Sequence, residues 1–225
     1  MLGIYSSRPC LLTYDNYNDV VISKTDYSKE LISVIQKISH FYKKELTSKI
    51  TRNSRNRKTI ILAMPRISTI KKELLGKELS ILISTISHNF PDTYFFLKPH
   101  PRDLIQDLTF LDNFLSNNLQ WEFIPPCFWT HPIETLAGSL NASLIISGYS
   151  TIGINEDLIS PTRVLVFNFL SFNLPYYNPF AKLVMQKACT YSGESVQEAL
   201  ESISAFLISD KENIHRKKPL QPYSR

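Results

Sequence analysis

Lys98-Pro99-His100-Pro101-Arg102 sets three cationic or protonatable side chains on alternate residues, with prolines between them. Each proline fixes its own φ and pushes the preceding residue toward extended backbone, so Lys98, His100 and Arg102 are held in direction at low entropic cost. Such a set suits a diphosphate or a departing phosphate. Histidine can supply a proton near neutral pH, while lysine and arginine act as fixed charges. The competing reading is a surface turn with an incidental histidine. A second segment, Ser147-Gly148-Tyr149-Ser150-Thr151, joins small hydroxyl residues to a predicted helix start, where free amides and the helix dipole attract anions. Gly148 and Gly153 have the spacing of a P-loop, but Ile154-Asn155 stand where Lys and Ser/Thr are required. Plain helix capping by Ser150 or Thr151 is the alternative there. Glu134, early in a short predicted helix, can accept both hydroxyls of a ribose or simply complement the helix N-terminus. Asp15, in Asp15-Asn16-Tyr17-Asn18-Asp19, is a candidate general base in a stretch whose composition equally describes a turn.

The elements that position these residues follow from the hydrophobic pattern. Residues 8–14 read as a short strand. A helix is predicted from Ser28, as N-cap, to about Ser48, with Leu31, Ile35, Ile38, Tyr42 and Leu46 at steps of three and four. Thr51–Lys58 is basic and without apolar residues, which marks a linker and a boundary near residue 56. Continuous apolar runs then begin at Thr59, Thr93, Trp121, Ser143 and Arg163. Helical stretches alternate with them at 68–88, 103–115, 132–140, 152–159 and 194–208. Strands apolar on both faces that alternate with helices imply a parallel sheet covered on both sides. The predicted fold over residues 57–210 is therefore a doubly wound, Rossmann-like α/β domain. Its ligands would sit at the carboxyl ends of the strands, near a topological switch point. The two quoted segments lie at such ends. His131-Pro132 precedes a short helix and reads as structural, with Pro132 in its first turn.

Composition narrows the classes. The chain has 225 residues, 43% of them hydrophobic, enough for a sizeable core and against disorder. Its 6 Gly make a glycine-built phosphate loop an unlikely solution. A net charge of +5 suits anionic ligands or an anionic membrane face and falls short of a nucleic-acid footprint. Cys10, Cys127 and Cys189 lie far apart and read as buried thiols in a reducing compartment. No run approaches the ~18 apolar residues of a membrane span, and no signal-peptide pattern opens the sequence. No metal-ligand spacing and no GxSxG or Cys–His arrangement occurs. His215-Arg-Lys-Lys218 in the tail could touch anionic lipid or simply fray.

Phe95-Phe-Leu-Lys-Pro-His-Pro-Arg-Asp103, Pro132-Ile-Glu134 and Ser147-Gly-Tyr-Ser-Thr151 together resemble the carboxyl-terminal half of bacterial sialyltransferases and polysialyltransferases. The resemblance spans roughly residues 57–170, and related capsule and teichoic-acid transferases share its His-Pro and serine motifs. It implies a GT-B fold and an inverting glycosyltransferase that moves sialic acid from CMP-sialic acid to a capsule or lipooligosaccharide glycan. By the same resemblance His100 assists departure of the CMP phosphate, and Ser150 and Thr151 hold it. Lys98, Arg102, Ser147 and Gly148 border it, and Glu134 meets the ribose. Asp15 stands where the acidic motif is expected, without its second acid and its glycine. Residues 1–56 then correspond to the remnant of an N-terminal domain and a linker, 57–210 to the nucleotide-sugar-binding domain, and 211–225 to a basic tail. Some 55 residues are too few for a whole Rossmann domain, which needs over ~100. The expected chain is thus a C-terminal half from a truncated or split gene. The expected partners are a nucleotide sugar and a glycan acceptor, with no nucleic acid and no metal or other cofactor. The expected location is cytoplasmic, with peripheral association at the inner membrane face left open. The rival readings are a CDP-glycerol-type or other nucleotide-sugar transferase of surface polymers, and an inactive nucleotide-binding remnant.

Overall fold

A strand that is apolar at every position must be covered on both faces, and the five long runs meet that demand in one sheet. The computed structural model describes residues 24–50, 57–116, 120–148 and 162–167, with 152, 192–193, 200–201 and 203–204. The strand expected at 8–14, Asp15, the basic linker 51–56, Ser150, Thr151 and the tail 211–225 lie outside the described residues, as do most of the helices expected at 152–159 and 194–208.

In chain order the elements are helix α1 (Lys24–Lys49), strand β1 (Lys58–Ala63), helix α2 (Lys72–Asn89) and strand β2 (Thr93–Lys98). The short helices α3 (Ile105–Leu108) and α4 (Asp112–Leu115) lead to β3 (Trp121–Phe123), helix α5 (Ile133–Leu140) and β4 (Ala142–Ser147). Then come β5 (Arg163–Phe167) and the two-residue β6 (Ser192–Gly193). The strands pair in the order β3-β2-β1-β4-β5-β6, and every pairing is parallel. This is the doubly wound order, with its reversal between β1 and β4. Right-handed crossovers put α2, α3 and α4 on one face and α5 on the other, because the chain changes direction across the sheet after β3.

The core lies where these layers meet. All six residues of β2 are buried, and Ile60, Ile61, Phe95, Leu97, Leu144, Ile145 and Ile146 are fully enclosed. Each such side chain stabilises the fold by roughly 1.5–3 kcal/mol. Helix α1 lies on α5, with Leu46 in the common core and the Ser139 hydroxyl 2.8 Å from the Ser39 carbonyl oxygen. Gly138 permits that approach, since a Cβ there would press on Ser39 Oγ at 2.7 Å. The boundary expected near residue 56 separates α1 from the sheet in sequence; in space α1 packs on α5, and its Leu46 joins the common core. A single residue joins α5 to β4: Asn141, at φ 50°, ψ 46°, ends the helix in the left-handed region.

Several expected boundaries are corrected. Helix α1 begins at Lys24, so Ser28 is inside it and not its N-cap. The helix expected from Ser68 begins at Lys72. A 3₁₀ turn at Ile67–Thr69 and extended backbone at Ile70 precede it, and they turn Ile67 into the core. The helix expected over 103–115 breaks into α3, a 3₁₀ turn (Thr109–Leu111) and α4. A 3₁₀ turn stacks i and i+3 on one side, which sends both Leu108 and Leu111 inward. Pro132 occupies the N-cap of α5, one position before its first turn.

Candidate functional site

Register fixes the level of the strand ends at the switch point. Ala63, the last residue of β1, pairs with Lys98 of β2 on one side and Ser147 of β4 on the other. With strands about 4.8 Å apart, Lys98 and Ser147 stand about 10 Å from each other across β1. Those two strand ends, with Pro65-Arg66 after β1, border the switch point, where a doubly wound sheet opens a crevice.

The loop after β2 is tied internally. His100 and Asp103 close a turn, the Asp103 N–H donating to the His100 carbonyl at 3.0 Å. The Arg102 N–H donates to His100 Nδ1 at 3.2 Å, so Nδ1 is an acceptor and the neutral ring carries its proton on Nε2. Asp103 is buried, with 6% of its surface exposed. Its Oδ2 accepts from the His100 N–H at 3.2 Å, and its Oδ1 accepts from the Ile67 N–H of the β1 loop at 3.1 Å. Burial holds His100 below the usual histidine value. Asp103 opposes this by favouring the charged ring, and Arg66, Arg102 and Lys98 add to the depression. Arg66 and Arg102 are exposed, so two basic side chains from neighbouring loops and the buried Lys98 at the end of β2 act on one imidazole.

Lys98 departs from the expectation of an outward fixed charge. It ends a strand covered on both faces, is 7% exposed, and its Nζ donates to the Trp129 carbonyl at 2.8 Å. Desolvation lowers its pKa to about 8, against the pull of the Glu134 carboxylate, which raises it. Glu134, in the first turn of α5, thus faces Lys98 from the strand-end side of the sheet. Ser147 is 1% exposed, and its hydroxyl finds no hydrogen-bond partner among the described residues. Gly148 is buried beside it. Of the expected site residues, the structure brings together Lys98, His100, Arg102, Glu134, Ser147 and Gly148 around the end of β1.

Arg66 belongs to no motif, but Pro65-Arg66 directly follows a predicted strand, where this fold places ligand contacts. Asp103 ends the quoted His-Pro segment yet had no assigned role; an acid three residues after a turn's first residue is the signal that could have found it, since such carboxylates cap backbone N–H groups. His131 has the structural role expected of it, its ring packed edge-on to Tyr42 at 4.6 Å and tilted against Phe128 at 5.2 Å. Cys127 corrects the expectation of buried thiols: it is exposed, with Lys49 Nζ 3.3 Å from its sulfur. Cys10 and Cys189 lie outside the described residues. Among the described residues there is no group of three or more metal-ligating side chains, and no helix is long and apolar enough to cross a membrane. No protein-family model and no curated protein matches the chain.

Proposed function

We propose that the crevice at the end of β1 binds the phosphate of a nucleotide donor, and that the chain is a glycosyltransferase of the sialyltransferase or polysialyltransferase type, built on the GT-B plan. The observation that carries the phosphate reading is the meeting of Arg66, His100 and Arg102 at a doubly wound switch point, opposite the buried hydroxyl of Ser147. The resemblance of the His-Pro and serine motifs supplies the donor, CMP-sialic acid, and an acceptor glycan of the cell surface.

In this reading a base removes the acceptor hydroxyl proton, the acceptor oxygen attacks the sialyl anomeric carbon, and the bond to the CMP phosphate oxygen breaks. Asp15 is the candidate base on sequence grounds. Arg66 and Arg102 hold the charge that develops on the departing phosphate. His100 donates from Nε2 to that oxygen, since its Nδ1 is engaged by Arg102 N–H. A bound phosphate also supplies the anion that offsets the three neighbouring cations and draws a proton onto the ring.

A second reading has its own support. Arg66 adds a cation to those expected, and a denser positive cluster favours the higher charge of a diphosphate donor. Titration of the purified chain with CMP, CDP and UDP separates the two. For the leading reading, His100→Ala lowers sialyl transfer about 100-fold or more while CMP affinity changes far less. Equal losses in both would reduce His100 to a ligand contact.

A further inference from the structure

We propose that Asp103 is a positioning residue of this site: its buried carboxylate grips the β1 loop with one oxygen and the β2 loop with the other, and thereby fixes Arg66 and His100 relative to each other. The inference rests on the phosphate reading above and goes beyond it, since Asp103 faces inward and acts through its neighbours.

The geometry is specific. Oδ1 accepts from the Ile67 amide at 3.1 Å and Oδ2 from the His100 amide at 3.2 Å. The Ile67 amide belongs to the peptide that leaves Arg66, so gripping it fixes the plane from which the arginine side chain departs. The two amides come from loops after neighbouring strands, β1 and β2, so one carboxylate ties the two loops together. At the ladder itself, the Met64 N–H donates to the Lys98 carbonyl at 2.9 Å. A carboxylate can accept on both oxygens, whereas the amide of asparagine accepts on one only.

Charge gives Asp103 a second effect. The charged groups that bear on His100 are Arg66 from the β1 loop, Lys98 from β2, and Arg102 and Asp103 from its own turn. Asp103 alone among them favours the protonated ring. The residue that sets the geometry of the imidazole also keeps its proton accessible.

The test compares the full-length chain with Asp103→Asn. CMP binding is measured by calorimetry, and the His100 ring is titrated by NMR, its resonance identified by its loss in His100→Gln. Asp103→Asn, folded by circular dichroism, is expected to bind CMP about tenfold more weakly. Its His100 midpoint is expected to fall by about one pH unit, because the carboxylate that favours the charged ring is gone. Native CMP affinity would overturn the proposal, whatever the His100 midpoint does, since the charge of the carboxylate alone moves that midpoint. If the native chain binds no CMP, the phosphate reading fails; the link between the loops is then read from exchange of the Ile67 and His100 amides, whose faster exchange in Asp103→Asn supports the link and whose unchanged exchange sinks it as well. Should Asp103→Asn fail to fold, Arg66→Gln at the exposed end of the same link is the second variant. It is expected to weaken CMP binding about tenfold, and unaltered affinity would overturn the placement of Arg66.

Discussion

The carboxyl ends of β2 and β4 flank β1 at one level, and their polar groups are treated in opposite ways. After β2, the Lys98 ammonium reaches the Trp129 carbonyl, both oxygens of Asp103 hold amides, and His100 Nδ1 accepts from Arg102. After β4, the Ser147 hydroxyl is buried and unpartnered among the described residues. Buried polar groups almost always find partners, so the difference separates a finished end, whose polar groups satisfy one another, from one whose hydroxyl has no partner among the described residues. In the proposed function a phosphate oxygen accepting from Ser147 would offset the roughly 1–3 kcal/mol that an unmet buried hydroxyl costs.

The sharpest way to break this comparison is to cut the scaffold. Asp103→Ala leaves the Ile67 and His100 amides without their acceptor and is expected to cost about 2–4 kcal/mol, read from denaturant unfolding. A loss below about 1 kcal/mol would mean that water replaces the carboxylate freely and that the β2 end is no more finished than the β4 end.

Lys98 gives a middle-sized effect with a definite sign in pH. Its folded value of about 8 lies below the usual 10.5, so between those values the unfolded chain keeps a proton that the folded chain has released. Stability attributable to Lys98 therefore rises as pH goes from 8 to 10.5. The gain is on the order of 3 kcal/mol relative to Lys98→Met, which has no such proton. At pH 7 the same variant relieves the buried charge but strands the Trp129 carbonyl, and the two nearly cancel. Parallel pH–stability curves for the two proteins would show that the ammonium reaches solvent.

The smallest effect belongs to the β4 end. Ser147→Ala removes a hydroxyl that has no partner among the described residues, and its stability is expected to match the native chain or exceed it by up to about 1 kcal/mol. CMP affinity should fall in the same variant. A clear loss of thermal stability would show that Ser147 already belongs to an internal network.

Most of the fold was legible because the strands are continuous apolar runs, a pattern that only a sheet covered on both faces explains. The runs at Thr59, Thr93 and Ser143 lie on β1, β2 and β4, within a residue or two of their ends. The breaks were not legible where tertiary demands overrode local pattern. The helix predicted from Ser68 starts late, at Lys72, because the 3₁₀ turn before it carries Ile67 into the core and gives its amide to Asp103, a partner 36 residues away. Leu108 and Leu111 tighten into a 3₁₀ turn to reach the same core. The strand-end positions of His100 and Ser147, and the place of Glu134 early in a short helix, could be read from spacing alone. The inward turn of Lys98 could not, because its acceptor is a backbone carbonyl 31 residues on, and main-chain acceptors leave no mark on sequence.

The one-residue junction at Asn141 ties Glu134 to Ser147 mechanically. A helix joined to its strand without slack cannot tilt or slide alone, so α5 and β4 behave as the two arms of a single lever pivoting on a left-handed asparagine. Through α5 the same junction reaches the long helix α1, whose Ser39 carbonyl accepts from Ser139.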